Sequence, residues 1–220
     1  MIIHTRIPKE ALHDMPTASF SGVIHVIDST AQLAGSIDFL SRQARVGIDS
    51  ETRPSFQKGR LNKVSLLQVS TLDECFLFRL GLIENPELLV RFLEDERIKK
   101  IGLSLKDDSL TLHRRFDFTP GGWVDLQDIV GAFRIEERSL QKIYAILFNE
   151  RISKRQRLSN WEAPELTAAQ QAYAALDAYA CLRIYNCLHE LRISGNYIIK
   201  EIPPTQPSPE TVEQAVANPV

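Results

Sequence analysis

Three β-like runs follow one another in the chain, and this succession constrains the fold more than any other feature of the sequence. The runs cover residues 45–51, 64–70 and 74–78. Each is rich in β-branched and apolar residues, and only short polar stretches separate them. The succession predicts a meander of strands.

Helical and β-like segments alternate on both sides of the meander. The β-rich run 23–28 precedes it, and Ser29 and Gln32 then have capping-box spacing before a helical segment that ends near Arg42. The pattern predicts a mixed α/β architecture. The segments that follow the meander are a helix over 86–94, a strand over 100–104, a helix over 106–116 and a short strand over 123–125.

The last third of the chain is typical of helices, with segments near 126–133, 140–149 and 168–192. Thr167 and Gln170 form a second capping-box pair at the start of the longest one. Proline is frequent from Ile202 onward and no apolar periodicity remains there. We therefore predict an N-terminal extension over 1–22, one catalytic domain over 23–200, and a proline-rich, disordered tail over 201–220.

The bulk composition excludes a membrane protein. With 220 residues, of which 44% are hydrophobic, the chain can bury the core of one domain. No stretch reaches the ~20 apolar residues of a membrane span, and the N-terminus lacks the apolar core of a secretory signal. The three cysteines lack the spacing of a zinc or redox pair. We expect a cytoplasmic protein with reduced thiols.

The net charge of −2 becomes compatible with a nucleic-acid partner once it is divided by region. The segment 201–220 contains three glutamates and neither lysine nor arginine, so residues 1–200 carry a net charge of +1. Divalent cations bound to the acidic residues described next would make this part of the chain more positive.

Acidic side chains occur at three places where a local explanation competes with a metal-site explanation. Asp49 and Glu51 lie two positions apart at the end of a β-run, so they share a face, but a strand end entering a turn is an ordinary alternative. Tyr173 and Asp177 lie one helical turn apart, where a solvated acid on an amphipathic helix is the alternative. Asp108 opens a helix, where the helix dipole alone favours an acid.

Taken jointly, these residues resemble the motifs of the DEDDy exonucleases, in the ribonuclease D and Werner-type branch of the ribonuclease H-like superfamily. The resemblance extends over residues 23–193 and is most specific in the third motif, where tyrosine rather than histidine indicates the DEDDy subgroup. The matching segments are Asp49 with Glu51, Gly102 to Asp108 with Leu112, Tyr173 to Tyr179, and the accompanying stretches Leu66 to Val69 and Ser159 to Trp161.

The resemblance implies an α/β fold of the ribonuclease H-like type, with a mixed sheet whose first three strands are antiparallel and with helices on both faces. It implies that Asp49, Glu51, Asp108 and Asp177 converge and bind two divalent cations, Mg²⁺ or Mn²⁺, and that no organic cofactor is needed. Tyr173 then orients the attacking water or takes its proton. Ser104 departs from the asparagine of many relatives, and Asp107 occupies a position that is often aromatic, which leaves the register between Asp107 and Asp108 open.

The implied activity is 3′-5′ hydrolysis of single-stranded or 3′-ended RNA or DNA, with nucleoside 5′-monophosphates as products. Two basic clusters are predicted to contact phosphates, although solvated surface is the alternative for both. Trp161 either stacks on a base or packs in the core. The residues of the clusters are Lys58, Arg60 and Lys63 in one and Arg151, Lys154, Arg155 and Arg157 in the other.

Two other functions compete with this interpretation. One is a non-catalytic nucleic-acid-binding module with the same fold, and the other is a different ribonuclease H-like enzyme, such as an endonuclease. The complete set of four acids and Tyr173 favours an enzyme over the binding module. The sequence does not distinguish RNA from DNA as the substrate, because a phosphodiester-cleaving centre contacts mainly phosphate and sugar.

Overall fold

The structure of the protein, a computed structural model, describes residues 1–55 and 62–203. Its centre is a six-stranded mixed sheet with the strand order β2-β5-β4-β3-β6-β7. The strands of this sheet are β2 (Val23–Ile27), β3 (Arg45–Thr52), β4 (Val64–Ser70), β5 (Glu74–Arg79), β6 (Lys99–Gly102) and β7 (Trp123–Asp125).

The predicted meander forms the middle of the sheet. Strands β3, β4 and β5 pair in antiparallel fashion, and Glu51, Leu66 and Arg79 lie in one row across them. Strand β2 is parallel to β5, and β6 and β7 continue in parallel beyond β3. The antiparallel strands and the mixed α/β class are therefore confirmed.

Helices cover both faces of the sheet, which confirms the predicted layers. On one face three helices, α1 (Thr30–Leu40), α2 (Glu87–Glu94) and α3 (Leu105–Leu112), bury Leu33, Leu89 and Leu112 in one cluster with Ile48 of β3. On the other face α6 packs across the sheet and joins α5 in a second cluster. The helices are α1 (Thr30–Leu40), α2 (Glu87–Glu94), α3 (Leu105–Leu112), α4 (Gln127–Val130), α5 (Leu140–Phe148) and α6 (Ala168–Ser194), with short 3₁₀ turns at Glu10–Leu12 and Gly131–Phe133.

Only one of the two predicted capping boxes forms. At the start of α6 the Thr167 side chain accepts the Gln170 N–H, and the Gln170 side chain accepts the Thr167 N–H. At the start of α1 the prediction is wrong, because the Gln32 side chain accepts the backbone N–H of Asp28, one residue too early for a capping box. The spacing is right at both sites, but the backbone entering α1 presents a different N–H group to the glutamine.

The two ends of the described chain meet in a small second sheet that the sequence did not predict. Strand β1 (Ile2–His4) pairs in parallel with β8 (Ile198–Lys200), and Ile3 and Ile7 are buried against α5 and α6. The domain boundaries at residues 22 and 200 stay predictions, and residues 204–220 of the predicted tail lie outside the described residues. Among the helices described, none combines the length and the apolar character that crossing a bilayer requires.

Candidate active site

The alternation of side chains along β3 places two carboxylates on the face of the sheet that α6 covers. Val46 and Ile48 are buried on the face of the sheet that α1, α2 and α3 cover. Gly47 faces the opposite way and contacts α6. Because successive side chains of a strand point to opposite faces, Asp49 and Glu51 share the Gly47 face.

Close contact between α6 and β3 brings a third carboxylate to this face. A Cβ atom on Gly47 would lie 1.9 Å from the carbonyl oxygen of Ala178, so only glycine permits the approach. Ala174 and Ala178 on α6 are fully buried and equally small. As a result, carboxylate oxygens of Asp49, Glu51 and Asp177 lie within 4.8 Å of one another.

Helix α3 holds a fourth carboxylate beside this group. The helix follows Ser104, whose φ of 62° lies in the left-handed region, and the Asp125 carboxylate accepts the N–H groups of Ser104 and Leu105 at 3.0 and 2.8 Å. Asp108 then accepts a hydrogen bond from the Ser50 hydroxyl. It lies outside the 4.8 Å group, but its charge raises the pKa of Asp49.

The neighbouring Asp107 points away from this cluster. Its side chain is exposed at the surface, whereas Asp108 is partly buried and contacts Ser50. The geometry therefore favours Asp108 as the residue of the second motif. One residue of helix turns a side chain by about 100°, so only one of the two adjacent acids can face the cluster.

Burial raises the pKa of all four carboxyl groups in the cluster, and repulsion from neighbouring carboxylates adds to this effect at Asp49, Glu51 and Asp108. The pKa of Asp49 lies well above its ordinary value, because of burial first and then of Asp108, Asp177 and Glu51. Burial, with the charges of Asp177 and Asp108, raises the pKa of Glu51 to about 8. Burial also raises the pKa of Asp177 to about 7 and that of Asp108 to about 6, against hydrogen bonds from Tyr173 and Ser50. Four such groups are costly to hold together without positive charge.

Tyr173 lies one turn before Asp177 on α6, and its phenol interacts with the Asp177 carboxylate and lowers the pKa of that carboxyl against the effect of burial. Burial, followed by the charges of Asp177 and Glu51, raises the pKa of the phenol above its ordinary value. Tyr173 therefore keeps its proton at neutral pH and acts as a hydrogen-bond donor at the edge of the cluster.

The donor set fits hard divalent cations. All the converging ligands are carboxylate oxygens, which suit Mg²⁺ and Mn²⁺ better than zinc. Asp177 is 4% exposed, and its Oδ1 atom is buried and has no hydrogen-bond partner among the residues that the structure describes. A bound cation would satisfy this oxygen and offset the repulsion that raises the pKa values of the group.

Three polar residues that the sequence did not identify surround the carboxylates. Ser50 contacts Asp108, and Asp125 caps the helix that carries it. Gln68 lies opposite Asp49 on β4 and is fully buried, and within the described part of the chain neither polar atom of its side chain has a hydrogen-bond partner. A glutamine within a run of apolar strand residues was the available signal, since an unpaired buried amide costs about 1–3 kcal/mol.

The predicted phosphate-contacting residues lie in different surroundings. Arg157 is exposed, and its positive charge lowers the pKa of Glu51, so it is close to the cluster. Lys63, Lys154 and Arg155 are exposed as well. Arg151 is partly buried and donates to the carbonyl of Met15, a structural contact. Lys58 and Arg60 lie outside the described residues.

Trp161 packs in the core. It is 1% exposed, and its ring lies 6.1 Å from that of Tyr173, in a cluster with Leu66 and Leu166. This placement favours the packing alternative over stacking on a base, because neither face of the indole is open to a ligand.

Comparison with known proteins agrees with the geometry. Residues 24–191 match the family model of the 3′-5′ exonuclease domain. A mouse protein, the bifunctional 3′-5′ exonuclease/ATP-dependent helicase WRN, is 33% identical over 134 residues, which make up 58% of this chain and 10% of that protein.

Solved structures share the fold at lower sequence identity. The exonuclease domain of Nibbler from Aedes aegypti superposes with a TM-score of 0.72 at 20% identity and covers 89% of this chain and 95% of that domain. Ribonuclease D from Escherichia coli superposes with a TM-score of 0.69 at 22% identity and covers 78% of this chain and 46% of that one. This chain therefore spans less than half the length of the mouse and bacterial proteins.

Proposed function

Since the chain belongs to the 3′-5′ exonuclease family, we propose that it hydrolyses phosphodiester bonds from the 3′ end of RNA or DNA and depends on Mg²⁺ or Mn²⁺. The observation that supports this most strongly is the convergence of Asp49, Glu51 and Asp177 within 4.8 Å, with Asp108 beside them. Three separate elements of the chain, β3, α3 and α6, contribute to this cluster.

The positions of the four carboxylates suggest two cation sites that share Asp49. Asp49, Glu51 and Asp177 would hold one cation, and Asp49 together with Asp108 would hold a second one. When bound, such a pair of cations supplies the positive charge that makes water a nucleophile near neutral pH and that offsets the charge developing on the phosphate. Ser50 fixes the orientation of Asp108.

Tyr173 would position the attacking water through its hydroxyl proton, while packing against Trp161 holds the ring in place. Arg157, whose charge acts on Glu51, would contact a phosphate of the strand next to the cluster. Products are nucleoside 5′-monophosphates, because the bond on the 3′ side of the penultimate sugar is cut.

We expect Tyr173→Phe to lower the rate of hydrolysis about 10²–10⁴-fold, the usual effect of losing a group that positions or transfers a proton. Because the phenol is not among the predicted ligands, the affinity for Mn²⁺, measured by calorimetry, should change by less than a factor of about three. A large loss of Mn²⁺ affinity in this variant would contradict the assigned role.

The central test is a time course with a 5′-labelled single strand, offered as RNA and as DNA, with Mg²⁺, Mn²⁺ or a chelator. The proposal predicts a ladder that shortens by single nucleotides from the 3′ end and needs the cation. Binding without shortening would favour the non-catalytic module, and internal cuts would favour an endonuclease.

Two adjacent acids provide a matched pair of variants for this assay. Asp108→Asn should remove activity, whereas Asp107→Asn, one residue away at the surface, should retain it. Equal activity of both variants would refute the assignment of Asp108 to the site.

A further inference from the structure

A cavity of about 230 Å³ lies near the carboxylate cluster, at the same end of the central strands. Arg79 lines it, and in the row across the meander Arg79 follows Leu66 and Glu51. Since neighbouring strands lie about 4.8 Å apart, the backbone at Arg79 is roughly 10 Å from that at Glu51. The cavity is therefore within reach of a strand whose 3′ end lies at the carboxylates.

Hydrogen-bond donors without matching acceptors line the cavity. Trp161 is 1% exposed, and its buried indole N–H has no hydrogen-bond partner in the described part of the chain. The Nε of Arg115, three residues beyond the end of α3, is likewise buried and has no partner among the described residues. Each such group costs about 1–3 kcal/mol if nothing binds to it.

The charges around the cavity are mainly positive. Arg79 is 8% exposed and donates to the carbonyls of Ala163 and Pro164, and Arg115 donates to the carbonyl of Leu80. Within residues 1–55 and 62–203, neither guanidinium has a carboxylate within ion-pair distance.

One carboxylate lines the cavity as well, but it is already engaged. Glu162 forms an ion pair with Arg53 at 3.2 Å and accepts a hydrogen bond from the Ser65 hydroxyl at 3.4 Å. Its charge raises the pKa of Arg115, while burial, the larger effect, lowers that pKa. Buried cations without partners are stabilised by an anion that brings its own acceptors.

We propose that this cavity is a phosphate-binding subsite, in which Arg115 and the Trp161 N–H bind a backbone phosphate of the nucleic-acid strand upstream of its 3′ end. A phosphate group offers several acceptors and negative charge, which matches unpaired guanidinium and indole donors. The presence of an anion site follows from the cavity itself, whereas its assignment to a strand rests on the proposed function.

Trp161 provides a reporter inside the subsite. The chain contains two tryptophans, so Trp123→Phe leaves Trp161 as the single one. Trp123 lies on β7 and donates to the carbonyl of Leu93, away from the cavity. In this background, Trp161 fluorescence is titrated with inorganic phosphate and with a short single-stranded oligothymidine, in the presence of a chelator so that the strand is not cut.

The matched variants are Arg115→Met and, as a control with the same charge change, the exposed neighbour Arg114→Met. We expect saturable fluorescence changes with both probes, an affinity about ten-fold or more lower in the first variant, and no change beyond two-fold in the second. The slope of log affinity against log salt for the oligonucleotide should fall by about 1 in the first variant alone.

If neither probe gives a saturable response, the proposal is wrong. Equal effects of the two arginine variants on probe affinity would also overturn it. A response to inorganic phosphate alone would overturn the assignment to a strand. If Arg115→Met fails to fold, the titrations of the Trp123→Phe protein still decide between these outcomes.

Nuclease activity with Mg²⁺, measured on the same proteins, separates the two proposals. Strand cutting without a Trp161 response refutes the subsite and leaves the exonuclease function intact. A response without cutting refutes the function and leaves the subsite.

Discussion

At the scale of single residues, the carboxyl groups of Glu51, Asp108 and Asp177 stand out by their raised pKa values. Their pKa values are raised to about 8, 6 and 7, so the metal-free folded state binds protons that the unfolded chain releases. The burial of these carboxylates, together with repulsion from neighbouring acids, is therefore a cost of folding above neutral pH, and bound cations would offset it.

The raised pKa values of these carboxyl groups predict an unusual pH dependence of stability. For groups whose folded pKa exceeds the unfolded value, the free energy of unfolding falls as the pH rises from the unfolded pKa, near 4, to the folded pKa, near 8. We expect the Tm of the chelated protein to rise when the pH is lowered from 8.5 to about 5.5. Asp95, whose pKa is lowered to about 2, loses its contribution only below about pH 4, outside this window.

Thermal unfolding followed by circular dichroism measures this effect, with and without Mg²⁺. The cation should flatten the dependence, because it stabilises the ionised carboxylates. A Tm of the chelated protein that rises steadily from pH 5.5 to 8.5 would contradict the raised pKa values.

At the scale of elements, the contact between α6 and β3 determines whether the carboxylates meet. Gly47→Ala would place a Cβ atom 1.9 Å from the Ala178 carbonyl, so the helix must shift away from the strand. We expect a loss of about 1–3 kcal/mol in the free energy of unfolding, typical of overpacking, together with weaker cation binding.

Gly35→Ala on α1 is the control, since nothing lies within 4 Å of its added Cβ. It should stabilise the protein by up to about 1 kcal/mol, because alanine favours a helix over glycine. Urea denaturation measures both variants. Equal stability of the two would show that α6 does not lie on Gly47.

Helix α3 provides a second test at this scale. Asp125→Ala removes the carboxylate that accepts the N–H groups of Ser104 and Leu105, which should cost about 1–2 kcal/mol. Because α3 carries Asp108, the rate should fall more than stability alone explains at temperatures where the variant is fully folded. An unchanged rate would place Asp108 outside the chemistry.

Local sequence signals predicted the elements well where the physical cause was local. The β-branched and apolar run of β4 and the capping box of Thr167 and Gln170 each act within a few residues, and the structure has both. The strands β1 and β8 depend on a pairing between residues nearly 200 positions apart, and a three-residue strand has no periodicity to detect. Motif resemblance had already assigned Asp108 rather than Asp107, and the contact with Ser50 supports this choice.

At the scale of the whole molecule, the arrangement of strands explains why the site forms where it does. Strands β3 and β6 are parallel, so their C-terminal ends lie side by side. Asp49 and Glu51 lie at this end of β3, and α3 begins just after this end of β6. Helix α6 crosses the sheet and brings Asp177 and Tyr173 to that end. Motif order predicted the participants, whereas the distances between them depend on the packing of α6 and α3 against the sheet.

The same end of the sheet holds the arginine-lined cavity, so the carboxylates and the proposed phosphate subsite form one surface with opposite charges. Cations at the carboxylates would make this surface uniformly attractive to a polyanion. The sequence did not predict the cavity, since Arg79, Arg115 and Trp161 come from three separate segments and no local pattern relates them.

The most direct test of the account is the position of Mn²⁺ in crystals soaked with this ion, located by its anomalous diffraction. The account predicts one ion among Asp49, Glu51 and Asp177, a second beside Asp49 and Asp108, and loss of both in Asp49→Asn. A catalytically active protein whose Mn²⁺ lies away from these four carboxylates would contradict it.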